Sequence, residues 1–301
     1  MPALYTHYKF GQDILNKLNK PIQKKINTNI EYYNMFNQGF DNLYYYPFKW
    51  NYYKNFGINA HKYNIDIFFT SIFKYIKDNN LQNNQKITNL IYGFINHYTL
   101  DTILHPYINY QVKNLNIPHT KIEFMLDYYL YTKNNLKWKN KIYKTLIPKL
   151  KFPKELLNTI NYLFKNTYNE NNIGKIFNKS HNCCYYIYRY FINDLSGIKT
   201  FIYKIIDFFI NSKSFKLHKN TFTKNVDLRI LNLQKNSWNN PKDKSEVHNY
   251  SIIELYNYSL KICLKLNKEA YKVLNNKKDI QDFIKLLNKI ELKNIEQFLS
   301  Q

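Results

Sequence analysis

Apolar residues recur every three or four positions along most of the chain, which is the spacing of one face of an α-helix. The stretches with this pattern are Ile67–Ile76, Leu156–Phe164, Tyr185–Leu195, Thr200–Ile210, Ile252–Leu264 and Ile280–Ile290. Only 6 glycines and 8 prolines interrupt the 301 residues, too few for a turn-rich β architecture. The pattern therefore predicts an all-α protein.

No linker rich in Pro, Gly or Ser divides the chain, so the sequence predicts a single multi-helix domain. The least regular region is Asn211–Asn249, which contains Trp238-Asn239-Asn240-Pro241. We expect this region to lead into a C-terminal helical hairpin. The expected organisation is a main domain over residues 1–215 and a C-terminal helical extension over residues 216–301, packed on the same domain.

One predicted helix carries three metal-ligand residues, His97, Asp101 and His105, spaced four apart. Four residues advance an α-helix by one turn with about 40° of rotation, so the three side chains climb one face. The neighbouring positions are apolar on nearly every side, which predicts a buried helix. A buried aspartate needs a cation or full hydrogen bonding, and the spacing therefore indicates a metal site.

A second helical pair, His119 and Glu123, has the same spacing of four residues. His97 and His105 stand about 12 Å apart along the helix axis, at about 1.5 Å per residue. Because zinc–nitrogen bonds are about 2.0–2.1 Å, one ion can hardly serve both imidazoles. Geometry therefore favours a multinuclear site with Asp101 between two centres. Further ligands for the first centre are sought upstream, among His7, Asp41 and His61.

The types of residue among these candidate ligands indicate whether a bound metal would be catalytic or structural. A single histidine is more often a surface or satisfied core residue, but three of the 8 histidines fall between His97 and Glu123. Structural zinc more often uses cysteine, whereas a set of histidines and carboxylates with open positions indicates catalysis. Cys183, Cys184 and Cys263 lie far from the histidine set in sequence, and we expect small buried residues without disulfides.

These residues, in this order, resemble the bacterial zinc-dependent phospholipases C. The resemblance covers the N-terminal half and rests on His7–Gly11, Gln38–Asp41, His61, the Gly93–Pro106 block and the pair His119 and Glu123. It implies two or three Zn²⁺ ions. The implied ligands are Asp41, His61, His97 and Asp101 for one ion, His105, His119 and Glu123 for a second, and His7 with Asp101 for a third. Asp127 would orient His119 or Glu123 as a supporting carboxylate.

The chain departs from the family pattern in three places. Secreted members begin with a tryptophan that completes the third zinc site, whereas the first tryptophan here is Trp50 and the amine of Pro2 would stand in its place. Asn42 and Ile58 occupy positions that are aromatic in members preferring choline lipids, so the head-group preference does not transfer. The step from Asp101 to His105 is also shorter than in the secreted enzymes.

The resemblance implies a fold of the zinc-dependent phospholipase C type, with residues 1–215 as the catalytic domain. The expected reaction is cleavage of phospholipid head groups by metal-activated water, with Asp41 accepting the proton of that water. Two alternatives stay open. One is a zinc-dependent single-strand nuclease of similar helical fold, and the other is a non-enzymatic protein that binds metal or nucleic acid.

The net charge of +23 predicts attraction to phosphate-rich partners, whether an anionic membrane or nucleic acid. The aromatic run Tyr44–Trp50 follows Asp41 closely, and it predicts either a membrane-facing rim that includes Trp50 or plain packing around the metal centre. No apolar run is long enough for a transmembrane helix, and the N-terminus lacks the apolar segment of a signal peptide. We therefore expect a cytoplasmic protein with peripheral membrane contact.

Overall fold

The structure is a computed structural model and describes residues 4–133, 146–192, 197–210, 226–295 and 298. Its first helices are α1 Leu4–Lys17, α2 Lys20–Asn27, α3 Ile30–Phe36, α4 Trp50–Ala60, α5 Ile65–Asp78, α6 Gln85–Leu115 and α7 His119–Lys133. The later helices are α8 Lys154–Tyr168, α9 Ile173–Ile187, α10 Ile198–Ile210, α11 Ile252–Leu274 and α12 Ile280–Leu287. Shorter elements are 3₁₀ helices at Gly39–Tyr45, Leu228–Leu231 and Leu292–Asn294 and a π-helix at Tyr188–Ile192. The all-α class is thus confirmed.

The irregular region before the C-terminal helices contains a small β-hairpin. Strand β1, Trp238–Asn240, pairs antiparallel with β2, Asp243–His248, and Trp238 lies opposite His248. A register shift between Asn239 and Asn240 disturbs the ladder. The first part of the expected irregular region, residues 211–225, lies outside the described residues, and so does the expected domain boundary at residue 215.

Two stretches that were predicted as α-helix differ from the helices of the structure. The stretch Tyr185–Leu195 divides between the last turn of α9 and the π-helix Tyr188–Ile192, and residues 193–196 lie outside the described residues. The stretch Ile280–Ile290 ends as a helix at Leu287. Apolar periodicity finds the buried face of a helix, but it does not show where the hydrogen-bond pattern changes.

Asparagine occupies the left-handed position after two of these helices, where glycine is the more usual residue. Asn116 and Asn169 follow α6 and α8 with φ of 52° and 58°, in the left-handed region that asparagine tolerates better than most residues. At the other helix ends, Ser251 and Glu254 form a capping box at the start of α11. A chain with 6 glycines can therefore still end its helices sharply.

Helix α6 runs through the centre of the fold and is buried along most of its 31 residues. Helices α3 and α11 lie along it, and α1 and α7 pack against its ligand-bearing part. Helix α12 packs on α5 and α11, so the described C-terminal helices join the same body. No helix in the described part of the chain is long and apolar enough to cross a membrane.

A cluster of phenylalanines holds the 3₁₀ helix Gly39–Tyr45 against α6. The ring of Phe40 lies 4.9 Å from that of Phe94 and 5.2 Å from that of Phe68, both in edge-on contacts. Such aromatic pairs add stability beyond their buried area. The cluster thereby fixes the segment that carries Asp41 beside the helix that carries His97.

Candidate metal centre

Two groups of histidine and carboxylate side chains meet beside α6. In the first, ligand atoms of His7, Asp41, His97 and Asp101 all lie within 4.8 Å of one another. In the second, the same holds for His105, His119 and Glu123. His61 joins the first group, since its Nε2 lies 3.2 Å from Asp41 Oδ1. The structure therefore brings together all eight residues that the sequence singled out as ligands, and both groups could hold metal ions.

The carboxylate of Asp101 lies between the two groups. Its Oδ1 is 3.2 Å from His7 Nε2 and 3.5 Å from His105 Nε2. Its Oδ2 is 3.4 Å from His97 Nε2 and 3.6 Å from His61 Nε2. One carboxylate thus faces histidines of both groups, as the four-residue spacing along α6 predicted.

The His61 ring is oriented by the backbone of its own helix end. Its Nδ1 lies 2.6 Å from the carbonyl oxygen of Gly57, so Nδ1 carries the proton and donates it to that oxygen. The Nε2 atom is then left with a lone pair directed at the group, 2.7 Å from Nε2 of His97. A hydrogen bond at the far nitrogen is the usual support of a metal-ligating histidine.

Gly39 allows the segment carrying Asp41 to approach α6 closely. It has a φ of 50°, and a Cβ built there would lie 2.0 Å from Cδ2 of His97. No side chain other than hydrogen fits at this distance, so Gly39 sets the separation between Asp41 and His97. No role was predicted for Gly39 from the sequence. The feature that could have indicated one is its position, two residues before the ligand Asp41, in a chain that has only 6 glycines.

The expected role of Asp127 needs correction. Its Oδ2 accepts a hydrogen bond from the backbone N–H of Tyr5 at 3.0 Å, and its Oδ1 accepts from the N–H and hydroxyl of Thr6 at 2.8 and 2.6 Å. These donors lie in the first turn of α1, where helical N–H groups lack partners within the helix. Asp127 therefore anchors the helix that carries His7, and its hydrogen bonds do not orient His119 or Glu123.

Several buried polar atoms in the two groups lack a hydrogen-bond partner within the described structure. They include His7 Nδ1, His97 Nδ1, Asp101 Oδ2 and Glu123 Oε2. A buried carboxylate oxygen without a donor or cation is costly. Asp101 Oδ2 faces two histidine nitrogens, so a cation there would satisfy the carboxylate and both imidazoles together. The donor set therefore fits bound metal.

Charge within the site keeps the carboxylates ionised. Burial would raise the pKa of Asp41, but the neighbouring His61 lowers it by its charge and hydrogen bond, and the net shift is downward. The pKa of Asp101 is likewise held well below its usual value, since His105 and His7 outweigh burial. Burial lowers the pKa of His97 to about 4, which leaves its imidazole neutral, as a metal ligand must be.

The two groups differ in access to solvent. The side chain of His97 is 1% exposed, whereas those of His105 and His119 are 36% and 32% exposed. Glu123 is buried beside them, with Oε1 3.0 Å from His119 Nε2 and 3.7 Å from His105 Nε2. Solvent therefore reaches the centre from the side of the second group.

The aromatic run after Asp41 is partly packed and partly exposed. Tyr45 is buried, whereas Phe48 and Trp50 are 68% and 42% exposed. Trp50 donates its indole N–H to the carbonyl oxygen of Tyr44 at 2.8 Å. The hydroxyl of Tyr44 lies 3.5 Å from His61 Nδ1. Tyr44 therefore lies between the exposed tryptophan and the ligand residues. From the sequence, Tyr44 was predicted only as the first residue of the aromatic run, without a contact to the site.

The expected N-terminal ligand, the amine of Pro2, lies outside the described residues.

Comparisons of the chain with protein-family models, with curated proteins and with solved structures each find no match.

Proposed function

We propose that the chain is a zinc-dependent phosphodiester hydrolase with phospholipase C-type activity, which cleaves the head groups of phospholipids. The observation that carries the proposal is the carboxylate of Asp101, which faces His7, His61 and His97 on one side and His105 on the other. A carboxylate shared between two ligand groups is the arrangement expected of a multinuclear hydrolytic centre.

The donor set favours zinc over other ions. Imidazole nitrogens predominate, and carboxylates supply the remaining ligands, a combination that suits catalytic zinc. Magnesium and calcium prefer sites built from oxygen. The described cysteines Cys183, Cys184 and Cys263 belong to neither group, which argues against a structural zinc site. Zinc bound here would act as a Lewis acid on phosphodiester oxygens and would lower the pKa of a water molecule to near neutrality.

The protein's own residues have distinct parts in this proposal. Asp41 is buried and ionised, so it can accept a proton when water attacks phosphorus. His61 and its Gly57 hydrogen bond hold the first group in place, and Glu123 holds His119. His105 and His119 border the exposed side, where the phosphodiester would enter. Burial of the first group excludes bulk water, which strengthens electrostatic interactions with the phosphate.

Two further features support a lipid substrate. The net charge of +23 attracts the protein to anionic surfaces, and the exposed rings of Phe48 and Trp50 adjoin the segment of Asp41 and Tyr44. The order of the ligand residues also resembles that of the zinc-dependent phospholipases C. The same charge would suit a zinc-dependent single-strand nuclease, which is the second candidate.

The deciding experiment incubates the zinc-loaded protein with mixed phospholipid vesicles, single-stranded DNA and a small soluble phosphodiester. The proposal expects release of phosphorylated head groups and diacylglycerol from the vesicles, identified by phosphorus NMR and chromatography. Asp41→Asn should abolish this release, while Asp78→Asn, at an exposed carboxylate on α5, should leave it unchanged. Cleavage of DNA without cleavage of lipid would favour the nuclease. No turnover of any substrate would refute the hydrolase proposal.

A further inference from the structure

Helix α10, Ile198–Ile210, presents apolar side chains to solvent. Ile198, Phe201, Ile202 and Ile205 are 62%, 66%, 46% and 44% exposed. Their spacing of three, four and seven residues from Ile198 places them on one helical face. Asp207 is buried on the same helix. A surface helix of a globular protein normally has the opposite arrangement, with its apolar face inward.

A contiguous apolar face has a different meaning from scattered exposed residues. Single exposed apolar side chains are common, whereas a contiguous exposed patch marks an interaction surface. Helix α10 has 13 residues, well short of the roughly 20 needed to span a bilayer. A short helix with one strongly apolar face can instead lie in the plane of a membrane surface, with that face among the acyl chains.

The segment that contacts the start of α10 carries exposed aromatic and basic residues. Tyr186 and Tyr190 are 42% and 51% exposed, and their rings are stacked at 6.4 Å. The guanidinium of Arg189 lies over the Tyr190 ring at 4.8 Å. Lys199 Nζ lies 3.3 Å from the carbonyl oxygen of Arg189, which ties the start of α10 to the π-helix Tyr188–Ile192. Tyrosine rings and basic side chains are the residues that favour the head-group region of a bilayer.

The positive charge beside the apolar face favours an anionic lipid surface over a second copy of the chain as its binding partner. Within the described residues 185–192 and 197–210, the one acidic residue is Asp207, and it is buried. The basic residues in the same described ranges are Arg189, Lys199 and Lys204. A second copy of the chain would bring the same excess of positive charge to the contact and would be repelled. An anionic lipid surface complements both the apolar face and the basic residues beside it.

We propose that the exposed face of α10, with Tyr186 and Tyr190, is a docking surface for anionic phospholipid bilayers. The helix lies parallel to the membrane, Phe201 and Ile205 enter the acyl boundary, and the flanking basic residues meet lipid phosphates. Docking needs neither the metal centre nor hydrolysis, so the proposal goes beyond the proposed function. It also differs from the aromatic rim at Trp50, which belongs to another part of the chain.

The test compares binding of the zinc-loaded protein to phosphatidylcholine vesicles with and without phosphatidylserine, measured by flotation. The variant is Phe201→Ser with Ile205→Ser, and its matched control is Leu228→Ser with Leu233→Ser, at two apolar residues that are 60% and 59% exposed elsewhere. Loss of two apolar side chains that would enter the bilayer should weaken binding to phosphatidylserine vesicles by at least about tenfold. The control should bind like the wild type.

Two further measurements complete the test. Lys204→Gln should weaken binding by about fivefold at low salt and by less at high salt, because its charge acts on the lipid phosphates. Hydrolysis of a soluble phosphodiester, circular dichroism and zinc content should be unchanged in every variant, which separates failure of docking from failure of the proposed function.

Three results would overturn the proposal. One is wild-type vesicle affinity in the Phe201 and Ile205 double variant. Another is equal binding to vesicles with and without phosphatidylserine. The third is a wild-type protein that does not bind vesicles and sediments as a dimer, together with a double variant that sediments as a monomer. In that case the face would be a contact between copies of the chain.

Discussion

The Nε2 atoms of His61 and His97 lie 2.7 Å apart, although 36 residues separate them in sequence. Two nitrogens bound to one tetrahedral zinc ion stand about 3.3 Å apart, given zinc–nitrogen bonds of about 2.0–2.1 Å. The two rings are thus aimed at a common point and need to separate by a few tenths of an ångström to share an ion. This relationship joins the helix end at His61 to the centre of α6, and it gives the candidate position for a first metal ion.

Asp101→Asn should damage phosphodiester hydrolysis more than His7→Ala. Asp101 faces both ligand groups, and an amide in its place offers one oxygen instead of two and no charge. His7 contacts the shared carboxylate on one side only. We expect the loss in kcat/KM for Asp101→Asn to exceed that for His7→Ala by at least about tenfold. Comparable losses would instead indicate that His7 is an equal member of a three-metal cluster.

Trp50→Ala should weaken binding to anionic vesicles and leave hydrolysis of a small soluble phosphodiester nearly intact. The indole is 42% exposed, and its N–H donates to the backbone carbonyl of Tyr44 rather than to a ligand residue. Vesicle co-sedimentation and a soluble-substrate assay measure the two effects separately. Unchanged vesicle affinity, or loss of soluble-substrate turnover, would mean that the aromatic run packs the site and does not serve membrane contact.

Asp127→Ala should destabilise the fold and loosen α1. The substitution leaves the buried N–H groups of Tyr5 and Thr6 without their acceptor. Loss of such a helix-end partner costs about 2 kcal/mol of unfolding free energy. Urea denaturation of Asp127→Ala and of the exposed control Asp78→Ala measures the difference. A value for Asp127→Ala within about 0.5 kcal/mol of the wild type would contradict the anchoring role.

The metal-free protein should lose thermal stability as the pH rises from 6.5 to 9. Burial alone would lower the pKa of His105, but Asp101 and Glu123 raise it to about 9. A histidine whose pKa is raised in the fold contributes stability that is complete below its usual value and is lost as pH passes the raised one. Bound zinc displaces that proton, so the zinc-loaded protein should not show the same decline.

Thermal melts of the chelator-treated protein at several pH values check this expectation, with His105→Gln as the comparison. The variant lacks the titrating imidazole, so its melting temperature should fall less over the same range. A decline of equal size in His105→Gln would show that another group is responsible.

The sequence predicted those parts of the centre that depend on local geometry. The ladder from His97 to His105 follows directly from helical periodicity, and so does the pair His119 and Glu123. The bridging position of Asp101 followed from the axial distance between two histidines. These relationships lie within single helices, where spacing determines which side chains share a face.

Relationships between distant segments could not be derived in this way. His7, Asp41 and His61 were candidates that the resemblance assigned, because no spacing connects them to α6. Asp127 was given the wrong partners, since its actual donors lie 121 and 122 residues away on α1. The role of Gly39 depends on the approach of a 3₁₀ helix to α6, and tertiary packing alone determines that approach.

The central claim is a multinuclear zinc centre with two ligand groups that share Asp101, and metal analysis tests it most directly. The protein is saturated with zinc, freed of excess metal by gel filtration and measured by elemental analysis against protein concentration. We predict at least two zinc ions per chain, with one lost in the double variant His119→Ala and Glu123→Ala, which removes two of the three ligands of the second group. One ion or none in the wild-type protein would contradict the account.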